Sequence, residues 1–138
     1  MKIYFAGSIR GGRDHADVYR ALIDFLKVDH DVLTEHVGDA NLSESGEVLS
    51  DKQIRDRDVA WLREADLVVV DSSVPSLGVG YELACAELFE KPVIILHDSE
   101  VASLSAMISG TDYFSDINFY HGADEAVAIL QAKLADID

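Results

Sequence analysis

Short runs of apolar residues alternate along this chain with longer segments in which apolar residues recur every three or four positions. Uninterrupted apolar runs of this length are typical of strands buried on both faces, and the recurring spacing is typical of amphipathic helices. Because strands and helices alternate, the pattern predicts an α/β fold with a parallel sheet, helices on both faces and right-handed crossovers. The predicted strands cover 2–6, 31–34, 67–70, 92–96 and 116–120, and the predicted helices cover 14–27, 51–64, 83–90, 102–109 and 125–135.

Glycine-containing loops follow the first and third predicted strands. The first loop, 7–13, contains Arg10 between its glycines, and the second, 71–81, contains Ser76 and Gly78. If the two strands are neighbours, both loops lie at the edge of the sheet where open α/β folds bind ligands. Backbone N–H groups at helix N-termini and an arginine side chain are typical phosphate ligands. Neither loop matches a Walker A motif or a complete G-x-G-x-x-G motif, so a tight turn without a ligand is the alternative for the first loop.

Two carboxylates occupy apolar sectors of predicted helices. At about 100° per residue, Glu82 falls in the sector that also contains Val79 and Leu83. Asp58 shares a helix face with Ile54 and Leu62. A carboxylate among apolar neighbours is desolvated unless it lines a pocket, and such groups are candidates for catalysis.

Each carboxylate also has a purely structural interpretation. Glu82 would stabilise the dipole of its helix if it lay in the first turn. Asp58 would form an ion pair with Arg55 or Arg57. Because both carboxylates occur in one chain, the interpretation of Glu82 and Asp58 as parts of a catalytic site is favoured.

The composition narrows the class of protein. A length of 138 residues predicts one domain, 1–138, and a formal net charge of −15 argues against nucleic acid polymers and anionic membranes as partners. A small anion bound in a local pocket is compatible with this charge, because salt screens surface charges over about 8 Å. The single cysteine, Cys85, excludes an internal disulfide, and no apolar run is long enough to span a bilayer. We therefore expect a cytoplasmic protein, and we expect neither a metal nor a cofactor.

Four segments, in this order along the chain, resemble 2′-deoxynucleoside 5′-phosphate N-hydrolases, a branch of the nucleoside 2-deoxyribosyltransferase superfamily. These segments are YFAGSIRGGR at 4–13, LTEHV at 33–37, PSLGVGYEL at 75–83 and LSAMI at 104–108. The resemblance implies a flavodoxin-like (Rossmann-like) domain with five parallel strands in the order 2-1-3-4-5. It also implies a homodimer that hydrolyses deoxynucleoside monophosphates to a free base and 2-deoxyribose 5-phosphate.

The resemblance further implies roles for individual residues. Glu82 is expected to be the nucleophile, Tyr4 to position it, and Asp58 to contact the sugar and assist the leaving base, with proton donation as our hypothesis. The segments also imply a set of substrate-binding residues, in which Ser105 reaches the site of the other subunit and His36 lies near the base. This set is Gly7, Ser8, Ile9, Arg10, His36, Ser76, Gly78, Ser105 and Met107.

Three alternative functions are compatible with the same residues. A nucleoside 2-deoxyribosyltransferase uses the same glutamate but passes the sugar to a second base, and a ribonucleotide hydrolase differs in its contact to the 2′-hydroxyl. A non-catalytic nucleotide-binding module needs no pair of carboxylates with apolar neighbours. The presence of Ser8, Arg10 and Ser76 favours a phosphorylated substrate over a nucleoside.

Overall fold

In the described part of the chain, five parallel strands form one sheet, with the second strand at one edge, followed by the first, third, fourth and fifth, as the resemblance implies. The computed structural model describes residues 1–9, 15–38 and 48–137. The predicted site residue Arg10 lies outside this described part, as does most of the first loop. The strands are β1 (Lys2–Ala6), β2 (Asp31–Val32), β3 (Leu67–Asp71), β4 (Val93–His97) and β5 (Ile117–Phe119), and the helices are α1 (Ala16–Lys27), α2 (Asp51–Glu64), α3 (Leu77–Leu88), α4 (Ala106–Ser109) and α5 (Gly122–Ile137).

The second strand is shorter than the predicted 31–34 because a side chain replaces part of its backbone pairing. Thr34 Oγ1 accepts a hydrogen bond from the backbone N–H of Phe5 at 2.8 Å and donates to the carbonyl oxygen of Phe5 at 2.6 Å. The chain then turns into a short 3-10 helix, Glu35–Gly38, which the hydrophobic pattern does not predict. A side chain that satisfies both backbone groups of a neighbouring strand ends the ladder at that point.

Helices α3 and α4 also differ from their predicted bounds, and serine caps explain where each begins. Ser76 accepts a hydrogen bond from the backbone N–H of Val79, so α3 starts at Leu77, six residues earlier than the predicted 83. Ser105 accepts from the backbone N–H of Met107, so α4 has only the last four residues of the predicted 102–109. The earlier start moves Glu82 into the second turn of α3, which weakens its interpretation as a residue that stabilises the helix dipole.

The two faces of the sheet carry separate hydrophobic cores, and side chains of β1 point alternately to one face and the other. Ile3 and Phe5 pack with α1 and α5, whereas Tyr4 and Ala6 pack on the opposite face with α2 and α3. All four side chains are at most 1% exposed. Successive side chains of a strand point to opposite faces, so Tyr4 necessarily faces the same side as α3. In the described part of the chain, no helix has the length and hydrophobicity that crossing a bilayer requires.

Replacing Gly7 by alanine is expected to destabilise the protein by about 1–3 kcal/mol, as overpacking of a filled core does. An added Cβ would lie 2.9 Å from Cζ of the fully buried Tyr19 ring, so the ring or the backbone would have to shift. Urea unfolding followed by circular dichroism measures the change. The control is Gly80→Ala: an added Cβ there meets no atom of the described residues within 4 Å, so stability is expected to rise by roughly 0.5–1 kcal/mol. Equal midpoints for Gly7→Ala and the parent protein would contradict this account of the Gly7 contact.

Candidate functional site

The hydroxyl of Tyr4 donates a hydrogen bond to Oε2 of Glu82. Tyr4 belongs to β1 and is almost completely buried, whereas Glu82 belongs to α3 and is partly buried. The two residues are 78 positions apart in sequence, and the α/β crossover brings them together. The bond fixes one oxygen of the carboxylate, and the second oxygen of a carboxylate can accept further hydrogen bonds.

Glu82 lines a cleft of about 660 Å³ between α2, α3 and the end of β1. Ile54, Val59, Leu62 and Val79 make much of its wall apolar, and charged groups interrupt this wall at a few positions. Cavities of this size and character are typical binding sites for small molecules. The lining residues are Gly7, Ile9, Asp51, Ile54, Arg55, Asp58, Val59, Leu62, Ser76, Leu77, Gly78, Val79, Tyr81 and Glu82.

The surroundings of Glu82 raise its pKa from 4.5 to about 8. Burial is the largest cause, because it disfavours the charged form. The hydrogen bond from Tyr4 opposes this effect, and the negative charge of Asp58 adds to it. Burial and the neighbouring carboxylates also raise the pKa of Tyr4 far above its ordinary value, so Tyr4 acts as a hydrogen-bond donor.

Asp58 lies in the same cleft and is also the partner of an arginine, so both interpretations of this residue are compatible with the geometry. Arg57 donates to Asp58 Oδ1 through Nε at 3.0 Å and through Nη2 at 2.9 Å. The side chains of the pair are 22% and 24% exposed. Solvent therefore screens this ion pair less than a surface pair.

The predicted phosphate-binding residues of the first loop have different environments. Gly7 and Ile9 line the cleft, but Ser8 is buried and its backbone N–H donates to the hydroxyl of Tyr19 at 3.1 Å. The structure therefore assigns the Ser8 amide an internal partner. Arg10 lies outside the described residues, so its role stays a prediction.

The N-terminus of α3 supplies the other predicted phosphate-binding residues, Ser76 and Gly78, and both line the cleft. Among the described residues, a Cβ added at Gly78 would meet only Ser76 Oγ, at 3.7 Å, within 4 Å. The described residues therefore leave space for a ligand beside this helix terminus. The positive end of the helix dipole favours an anion at this place.

Besides Tyr4 and Ser8, three described residues of the predicted set do not line the cleft. His36 lies beside it, with Nε2 3.5 Å from Arg57 Nη2 and its ring 6.1 Å from the ring of Trp61. Ser105 caps α4, and Met107 is 82% exposed on the same helix. The exposure of Ser105 is compatible with its predicted contact to another subunit.

Sequence reasoning missed two residues that line the cleft opposite each other. Arg55 Nη2 donates to the hydroxyl of Tyr81 at 3.1 Å, which links α2 to α3 at the open side of the cleft. The two residues lie three positions before Asp58 and one before Glu82, so proximity to the carboxylates was the available signal. The exact pairing depends on how the two helices pack, which their separate sequences do not indicate.

A solved structure shares this architecture. A CMP N-glycosidase from Clostridium botulinum superposes with a TM-score of 0.72 at 20% identity, covering 96% of this chain and 99% of that one. A 5-hydroxymethyl-dUMP N-hydrolase from Tetraodon nigroviridis is 50% identical over 81% of both chains. The Mus musculus protein of the same name is 44% identical over 91% of this chain and 74% of its own length. The family model described as nucleoside 2-deoxyribosyltransferase matches residues 3–111. The chain therefore belongs to the nucleoside 2-deoxyribosyltransferase family.

Proposed function

We propose that this protein hydrolyses the N-glycosidic bond of 2′-deoxynucleoside 5′-monophosphates through a covalent sugar ester on Glu82. The observation that carries the proposal is the Glu82 carboxylate, which Tyr4 holds in a largely apolar cleft beside Asp58. The names of relatives at 44% and 50% identity support an N-hydrolase that acts on a deoxynucleotide. An oxocarbenium-like transition state gains stability from a nearby carboxylate, and Glu82 supplies that charge when it is ionised.

In the first step, Glu82 attacks C1′ on the face opposite the base while the C1′–N bond breaks. The bonding electrons leave with the base nitrogen, which takes up a proton from water. The hydroxide equivalent of that water then displaces Glu82 from C1′, which releases 2-deoxyribose 5-phosphate and restores the carboxylate. One nucleotide and one water thus give one free base and one sugar phosphate, with retained configuration at C1′.

The 5′-phosphate binds, in our proposal, where the first loop meets the N-terminus of α3. Gly7, Ile9, Ser76 and Gly78 line that end of the cleft, and Arg10 is predicted to join them. Binding energy from a remote phosphate orients C1′ over the nucleophile and so contributes to the chemical step.

Base release from a substrate panel tests this function. The panel contains the common deoxynucleoside monophosphates, 5-hydroxymethyl-dUMP, the matching nucleosides without phosphate and the matching ribonucleotides. Chromatography quantifies free base, with and without an added acceptor base, and the Glu82→Gln protein serves as the blank. Release from deoxynucleotides alone supports the proposal.

Other results of this assay identify the alternatives. Transfer of the sugar to the acceptor base from unphosphorylated nucleosides indicates a deoxyribosyltransferase. Release only from ribonucleotides indicates a ribonucleotide hydrolase. Nucleotide binding by calorimetry without base release over hours indicates a binding module. Each of these results rejects the proposed reaction.

We also propose a cytoplasmic homodimer in which Ser105 and Met107 complete the neighbouring site. Leu77, Tyr81 and Leu88 are 96%, 52% and 76% exposed, and their spacing of four and seven positions puts them on one face of α3. An exposed apolar stripe of this kind suits a surface covered by a second copy. Light scattering measures the assembly, and Ser105→Ala is expected to raise KM for a deoxynucleotide about tenfold, as loss of a charge-assisted hydrogen bond does. A monomer with an unchanged KM in Ser105→Ala would contradict this arrangement.

Tyr4→Phe is expected to lower kcat/KM at pH 7 by roughly 10-fold, with a smaller deficit at pH 9. The Tyr4 hydroxyl stabilises the ionised carboxylate, so its removal raises the pKa of Glu82 further. Initial rates of base release between pH 5 and 10 measure the effect. Tyr120→Phe is the matched control, because it removes another buried hydroxyl that donates to a carboxylate, Asp71, at 2.6 Å. A pH profile that moves equally in both variants would contradict a specific role of Tyr4.

A further inference from the structure

The guanidinium of Arg57 contacts a single carboxylate oxygen of Asp58 through two of its nitrogens, Nε and Nη2. Hydrogen bonds between ionised groups are stronger than neutral ones, and each of these is 3.0 Å or shorter. A guanidinium donates hydrogen bonds and never accepts them. The contact therefore favours the ionised form of Asp58 over the protonated one.

Neighbouring side chains hold the guanidinium in this place. Its central carbon lies 4.6 Å from the centroid of the Trp61 ring, within the range of a cation–π contact. Nη2 also lies 3.5 Å from His36 Nε2. Ring, guanidinium and carboxylate thus form a connected series that ends at the cleft lined by Asp58 and Glu82.

We propose that Arg57 is a positioning residue that keeps Asp58 ionised beside Glu82. In this arrangement Asp58 accepts a hydrogen bond from the sugar and supplies negative charge to the transition state, and it does not donate a proton to the leaving base. The inference rests on the proposed function and replaces the proton donation suggested by the sequence. The sequence offered Arg57 only as one of two possible ion-pair partners of Asp58, beside Arg55, and in a purely structural role.

The negative charge of Asp58 raises the pKa of Glu82. Arg57 pairs with Asp58 and so, in this proposal, offsets part of the negative charge that Glu82 experiences. Loss of the cation therefore makes the state with two ionised carboxylates harder to reach. The titratable and charged groups around the pair, in the described part of the chain, are Tyr4 on β1, His36 on the 3-10 helix, Asp51, Arg55 and Arg57 on α2, and Tyr81 and Cys85 on α3.

The pH dependence of kcat/KM in Arg57→Gln tests this inference. We expect the midpoint of the rising limb to move up by about one pH unit and the activity at pH 7 to fall about tenfold, with recovery at higher pH. Arg57→Lys retains the cation, so its midpoint is expected to stay close to that of the parent protein. The matched control is Arg63→Gln on the same helix, because Arg63 stacks on Phe89 at 4.1 Å and should leave the midpoint unchanged.

Two results would overturn the inference. If Asp58 donates a proton, the loss of Arg57 makes its protonated form more abundant, and Arg57→Gln becomes faster at pH 7. If Arg57 only supports the fold, activity falls at every pH while the midpoint stays in place.

A measurement without substrate separates this inference from the proposed function. The side-chain carboxyl carbon of Glu82 can be titrated by NMR in protein labelled with 13C-glutamate, with Glu82→Gln identifying the signal. An upward shift of its midpoint in Arg57→Gln supports the inference even if no nucleotide is hydrolysed, and an unchanged midpoint rejects it. Absence of base release by the parent protein rejects the proposed function alone.

Discussion

Glu82→Gln is expected to lower kcat for base release by roughly 10³-fold or more, the largest effect of any substitution considered for this protein. Glutamine has nearly the same shape as glutamate and can still pair with the Tyr4 hydroxyl. It cannot form the ester with C1′ or provide negative charge to an oxocarbenium-like transition state. The expected loss therefore isolates the chemistry of the carboxylate from its packing.

Single-turnover and steady-state base release at saturating deoxynucleotide measure this loss, with circular dichroism as the check of folding. Glu87→Gln is the matched control, since Glu87 is an exposed glutamate on the same helix and does not line the cleft. Its kcat should equal that of the parent protein. Activity of Glu82→Gln within tenfold of the parent would exclude Glu82 as the nucleophile.

The second large effect is a dependence of kcat/KM on pH that reflects ionisation of Glu82. Its pKa of about 8 means that most molecules carry a protonated Glu82 at neutral pH. Because the attack needs the ionised form, kcat/KM should rise about tenfold for each pH unit up to about 8 and then level off. The expected difference between pH 6 and pH 8 is on the order of 10²-fold, measured as initial rates at low substrate concentration. A profile that is flat from pH 6 to 8 would contradict the raised pKa.

Unfolding experiments provide an independent measure of the same ionisation. An acid whose pKa is raised in the folded state binds more protons when folded than when unfolded, so its contribution to stability decreases as pH rises from 4.5 to about 8. Glu82→Gln removes this pH-dependent contribution to the free energy of unfolding. As pH rises from 4.5 to about 8, the variant should therefore become more stable relative to the parent protein. Below pH 4.5 the difference in stability between the two proteins should not change with pH.

The pattern of apolar residues determined most of the fold. Each of the five predicted strands overlaps an observed strand, and the alternation of strands with helices was sufficient to predict a parallel sheet. Burial of apolar surface depends on periodicity, which is readable along the chain. The ends of helices and strands were harder to predict from this periodicity, because the caps at Ser76 and Ser105 and the Thr34 side chain act through individual hydrogen bonds.

The sequence also indicated which carboxylates to consider, since Glu82 and Asp58 stand out as charged residues in apolar sectors of their helices. Only the tertiary structure decided what surrounds each of them. It buries Glu82 beside Asp58, which raises the pKa of Glu82, and it adds a hydrogen bond from Tyr4 that opposes this rise. It also pairs Asp58 with Arg57. The physical reason is that a pKa depends on burial and on charges a few ångströms away, and those distances exist only after β1, α2 and α3 have packed together.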